Sequence, residues 1–163
     1  MMRKFGFTVI LVLALGAASH ARTTPTSFVQ IFYASYMEHQ DDPGFTAFIK
    51  SQKAVLAPDL YDLLSDIADN DQRNGGPWLD FDPFINAQMN AATFSVGAAK
   101  VVKGLSYVPV SVSLRSPGHE KLAVTVVVGE RNGLLQIQNL VYPPSDGSPG
   151  WNLLDWLHKQ LKR

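Results

Sequence analysis

Cysteine is missing from all 163 residues. Its absence excludes disulfides, iron–sulfur clusters, thiolate zinc sites and cysteine nucleophiles together. It also excludes a lipoprotein anchor, which needs a thiol to acylate. No run of lysine or arginine occurs outside the pairs Arg3-Lys4 and Lys162-Arg163. Nucleic-acid phosphates demand a basic stripe, so that partner class is set aside, and a purely electrostatic membrane contact goes with it. There is neither a Gly-x-Ser-x-Gly elbow nor a phosphate-cradling glycine loop. Long apolar runs are scarce as well. One occurs, near the start of the chain.

That run, Phe5 to Ala18, follows the basic Arg3-Lys4 and precedes Ser19-His20-Ala21. A positive stretch, an apolar stretch and small residues at the cleavage positions read as a secretory signal peptide, residues 1–21, cut after Ala21. The run is shorter than the ~20 apolar residues of a membrane span. The expected product is exported, periplasmic or extracellular, with no transmembrane segment after cleavage. Dropping Arg3 and Lys4 from the 14 basic residues leaves 12 against 14 acidic ones, a formal balance of −2. Residues 22–163 suffice for one packed core and not for two comfortable domains, and without cysteine they must hold by packing alone.

Along residues 22–163 the periodicity changes once. Residues 22–26 read as a polar lead. Ser27 is placed to cap a helix whose stripe is Phe28, Ile31, Phe32, Ser35 and Tyr36. Asp41-Asp42-Pro43-Gly44 ends it. Phe45, Phe48 and Ile49, and then Val55 and Leu56, suggest a shorter second helix. Ala57-Pro58-Asp59 opens a third, with Leu60, Leu63, Leu64, Ile67 and Ala68 inward. Residues 69–77 read as a polar loop. Then strands begin. Residues 94–103 form one, with an additional strand before Gly104 left open. Val108, Val110, Val112 and Leu114 alternate with polar partners, and Pro109 argues for an edge or a bulge there. Leu122 to Val128 is apolar on both sides, the mark of a central strand. Asn132-Gly133 favours a tight hairpin into Leu134 to Tyr142. Trp151 to Leu161 closes the chain as an amphipathic helix. The order predicts a single α+β domain: N-terminal helices on a curved antiparallel sheet of about four strands, with a closing helix.

The stretch Asp80-Phe81-Asp82-Pro83-Phe84-Ile85-Asn86-Ala87-Gln88 crowds carboxylates, amides and two phenylalanines behind Gly75-Gly76-Pro77. It resembles a motif of an exported bacterial family catalogued as domain of unknown function 3828. Ile137, Leu140 and Tyr142 resemble that family's last strand, and Asn152-Leu153-Leu154 the opening of its final helix; its usual tryptophan is replaced here by Leu135. The matched features span residues 26–161. The resemblance implies an envelope protein with the cystatin-like cone of nuclear transport factor two and ketosteroid isomerases. It brings no catalytic residues.

Two readings compete at Asp80 and Asp82. In an extended segment they would share one side, and their repulsion would raise one pKa far enough for general acid work. Alternatively Asp82, just before Pro83, caps a short helix and Asp80 is a turn residue. The ligand reading joins Trp78, Asp80, Asp82, Asn86 and Gln88 with the neighbouring Tyr142, around an apolar hollow between helices and strands with acids at its mouth. The expected function is therefore a non-enzymatic exported binding module for a small ligand or an envelope protein. One alternative is an isomerase- or hydrolase-like enzyme with an Asp base; another is an inhibitor or immunity-type protein. No catalytic residue, cofactor or metal site is assigned. The acidic stretch from Asp66 to Asn74 fails calcium-loop spacing, and His39, His119 and His158 are scattered.

Overall fold

The structure, a computed structural model, describes residues 23–40, 45–74, 79–116, 118, 120–144, 147 and 149–161. The expected leader, Trp78 and His119 lie outside those residues.

Helix α1 (Pro25–His39) starts from a capping box. The Thr24 hydroxyl accepts the Ser27 N–H at 3.1 Å, and Ser27 Oγ accepts the Thr24 N–H at 3.0 Å. Pro25 occupies the first turn, where its missing N–H costs nothing. Ser27 is thus the partner of the cap and not the cap itself, and the helix begins three residues earlier than expected. Its buried face is Val29, Phe32, Tyr33 and Tyr36, while Ile31 is 65 % exposed. The chain offers two overlapping stripes that share Phe32 and Tyr36. The one that buries the large Tyr33 ring wins.

Helices α2 (Phe45–Ser51) and α3 (Pro58–Asn74) follow; Val55 and Leu56 lie beyond the end of α2, where their backbone pairs with Ile137 instead of continuing the helix. Leu60, Leu64, Ile67 and Ala68 of α3 are buried, as the periodicity predicts. The helix then continues through the acidic stretch read as a loop; Asp69 there meets Lys50 Nζ at 2.7 Å. Acids on the solvent side of a helix need no loop to carry them.

Among the described residues six strands make one antiparallel sheet: β1 (Ala91–Val96), β2 (Lys100–Val102), β3 (Leu105–Leu114), β4 (Lys121–Arg131), β5 (Leu134–Tyr142) and β6 (Trp151–Asn152). The order is β1-β3-β4-β5-β6, with β2 also on β3. The expected count of about four falls short for two reasons. Residues 94–103 are not one strand, and Trp151 belongs to β6, so helix α4 (Leu153–Gln160) starts only after the Asn152 cap.

Pro109 explains the first. β3 is an interior strand, and Pro109 sits opposite the gap between β1 and β2. Its carbonyl accepts the Gly97 N–H at 2.8 Å, but it has no N–H to return, so the ladder is broken at that point. A Cβ on Gly97 would lie 2.8 Å from Pro109 Cγ. The edge strand therefore breaks where the proline meets it. Asn132 (φ 52°) and Gly133 (φ 79°) close the β4–β5 hairpin as expected, and Lys103 (φ 50°) with Gly104 (φ 80°) closes β2–β3 in the same left-handed way.

Valines 108, 110 and 112 of β3 and 124, 126 and 128 of β4 are buried toward the helices. The alternate positions point the other way. Pro109, Ser111 and Ala123 among them are exposed. Beyond β5, the segment 55–57 pairs in parallel with Ile137, and β6 pairs with Val141 and Tyr142, so this edge is capped at both ends. Helices on one face of an antiparallel sheet is the α+β arrangement expected from the element order. Among the described residues no helix is long and apolar enough to cross a membrane.

Candidate functional site

The segment 79–90 leads from α3 into β1 and is folded around one turn. Asp82 donates its N–H to the Ala87 carbonyl at 2.7 Å, and Asn86 N–H returns to the Asp82 carbonyl at 2.7 Å. Asn86 takes φ 56°, a left-handed angle that asparagine tolerates and that stops a helix. The short helix expected after Pro83 is therefore a single closed turn. The capping chemistry is present nonetheless: Asp82 Oδ1 accepts the Phe84 N–H at 2.8 Å.

Three tyrosines hold this turn from distant elements. Tyr36 donates its hydroxyl to Asp82 Oδ2 at 2.8 Å. Tyr33 donates to the Phe84 carbonyl at 2.7 Å, and Tyr142 of β5 to the Pro83 carbonyl at 2.6 Å. Phe84 is fully buried, its ring edge-on to Phe32 at 5.2 Å, Tyr36 at 5.7 Å and Phe48 at 5.8 Å. The hollow expected between helices and sheet is filled at this point by Phe84 and the rings around it.

Burial has an electrostatic consequence. Asp82 is half-buried as a residue and opens onto a slot of about 60 Å³ between Tyr36, His39, Gln40 and Phe48. Loss of solvation pushes its carboxyl up to about 6, against the opposing pull of the Phe84 N–H, the Tyr36 hydroxyl and the Ile85 N–H. Burial also raises Tyr33, helped by the charge of Asp82. Tyr142 is raised by burial, then by Tyr33 and Asp82. Both tyrosines therefore stay protonated donors.

The six residues expected to form one ligand site fall in different places. Asp80 and Gln88 are exposed and line an open depression of about 300 Å³ with Leu79, Phe81, Asp82 and Met89. Asp82 faces inward, so the two aspartates do not share a side. Asn86 is half-buried. Tyr142 is buried with its hydroxyl on the same turn as Asp82, and it also borders a separate depression that opens on the outward side of the sheet. Trp78 lies outside the described residues. His39 bonds the Ser35 carbonyl at 2.7 Å, and His158 meets Asp59 at 3.2 Å. Among the described residues no three His, Asp or Glu side chains converge as metal ligands.

The larger depression was not anticipated. It is a trough of about 570 Å³ on the outward sheet face, lined by Tyr107, Val127, Asn139, Val141, Trp151 and Leu154 among others. At its end the rings of Trp151 and Trp156 stand edge-on to Phe81, each at 5.6 Å. Its signal in the sequence is faint: apolar residues at a few outward positions of strands whose central outward positions are mostly small and uncharged.

No protein-family model matches the chain, and no curated protein matches it in sequence. Solved structures do match. Two are chains from crystals of the type VI effector–immunity complex Tae3–Tai3 from Ralstonia pickettii, one containing selenomethionine and one native. Both give a TM-score of 0.55 and cover 76 % of this chain, at 19 % and 20 % identity and with 99 % and 98 % of their own chains covered. The likeness is one of fold, and the chain it reaches belongs to a protein–protein complex.

Proposed function

We propose that this chain is an exported immunity-type protein whose task is to bind and occlude another protein. The observation that carries the reading is the fold shared with nearly the whole of a chain from an effector–immunity complex. The internal geometry supports it. The Asp82 carboxylate is occupied by Tyr36 and a backbone amide, and the aromatic centre is filled by Phe84. The depressions that remain are broad and open, which suits a protein surface better than an enclosed small ligand. The leader at residues 1–21, the cone shape and the exported family that the 80–88 motif resembles belong to the same reading, and would put the binding event in the cell envelope.

The test is competitive growth. A strain lacking this chain is grown in dense mixed culture with its parent. The reading expects the deletion strain to be lost, rescue by the full chain, and no rescue by a chain begun at Arg22. Equal survival of deletion strain and parent contradicts it.

A further inference from the structure

We infer that the sheet face turned away from the helices is the surface that receives the protein partner, and that it takes an uncharged, apolar-tipped projection flanked by carboxylates. This rests on the protein-binding reading above and adds the place and the chemistry of the contact.

The centre of the face carries no charge. Cross-strand register puts Thr93 and Ser95 of β1 beside Ser113 and Ser111 of β3, and Ser111 beside Ala123 of β4, all at outward positions. Such small side chains leave a flat floor open to close approach. The floor falls away into the trough of about 570 Å³, where Tyr107, Val127, Val141 and Trp151 offer apolar and aromatic walls. An antiparallel sheet that merely faces water alternates polar and often charged side chains outward. An uncharged centre with aromatic anchors is instead how the core of a recognition surface is built.

Charge returns only at the margin. Among outward strand positions the charged residues are Lys100, opposite Tyr107, Lys121, opposite Ser113, and Arg131, opposite Leu134. All three are exposed, and none meets a carboxylate among the described residues. All three are positive. A second copy of this chain laid face to face would set like charges against each other. A different protein with an acidic surround would pair with them and be steered toward the face.

The test uses the full chain in the producing cell, with a photo-crosslinking amino acid at exposed Ser95 on this face or at exposed Ile31 on α1. The expected result is a single adduct to a second protein from Ser95 and none from Ile31. Adding Ser111→Arg with Ala123→Arg, or reversing Lys100, Lys121 and Arg131 to Glu, is expected to cut the adduct at least tenfold without moving the melting temperature. An adduct from Ile31 alone overturns the surface and leaves the protein-binding reading standing. An adduct to another copy of this chain, or one indifferent to the rim reversals, overturns the proposed occupant. No adduct from either site overturns the protein-binding reading itself.

Discussion

Asp82 is where local and long-range chemistry conflict. Its turn needs an acceptor for the Phe84 N–H, and its burial penalises the charge that an aspartate brings. The folded carboxyl stands at about 6 against 3.8 for the free group. The sign follows from proton counting. Between those values the folded chain holds a proton that the unfolded chain has lost, so this group's contribution to stability rises as pH falls through about 6 and levels off below 3.8. The full swing is roughly 3 kcal/mol. Urea unfolding at pH 7.5 and pH 4.5 is expected to show about 2 kcal/mol of this gain, superimposed on the other acids, and Asp82→Asn to reduce it while losing nothing at pH 7.5. An unchanged pH slope in the variant would show that Asp82 is solvated in the native state. The tyrosines give a second prediction. Tyr33→Phe and Tyr142→Phe each strip a buried carbonyl of its donor, so each should cost about 1–3 kcal/mol in unfolding free energy. Because both carbonyls belong to one turn, the double variant should deviate from the sum of the singles. The capping tendency of Asp-Pro was legible in the sequence, because it is a contact between near neighbours. The burial was not. The hydroxyls that enclose this turn come from residues 46, 51 and 59 positions away.

Elements were legible in proportion to how local their cause is. The Asn132-Gly133 hairpin was read directly, since two left-handed angles select those residues. The third helix was read by its apolar face and stopped too soon, because acids on its exposed side look like loop composition. The phase of α1 was ambiguous between two stripes and was decided by what the sheet and the 82–86 turn offered Tyr33. Pro109 was recognised as incompatible with an intact ladder, yet the remedy lies in the neighbouring strand, where Gly97 makes room for the ring. That remedy is testable. Gly97→Ala should cost about 1 kcal/mol through overlap with Pro109 Cγ, and Pro109→Ala should recover part of the loss in a double-mutant cycle read by thermal or urea unfolding. Equal costs for Gly97→Ala with and without the proline would mean that the break has another cause.

For the molecule as a whole, the α+β class and the single sheet with helices to one side followed from the order of periodicities. The candidate site did not. Acids, amides and aromatics adjacent in sequence suggested a pocket, and folding divided them: Asp82 and Tyr142 inward around one buried turn, Asp80 and Gln88 onto an open depression. The surface that emerged instead is defined by what its outward positions lack, charge at the centre, and that pattern is visible only once register aligns β1, β3 and β4. Its small and apolar side chains suit contact with another polypeptide more than grip on a small molecule. Native mass spectrometry of the chain, expressed from its own chromosomal locus and gently released from the producing cell, tests this most directly. The predicted result is a discrete complex with a second protein in fixed stoichiometry. A bare chain, or a chain carrying only a small-molecule adduct, would contradict it.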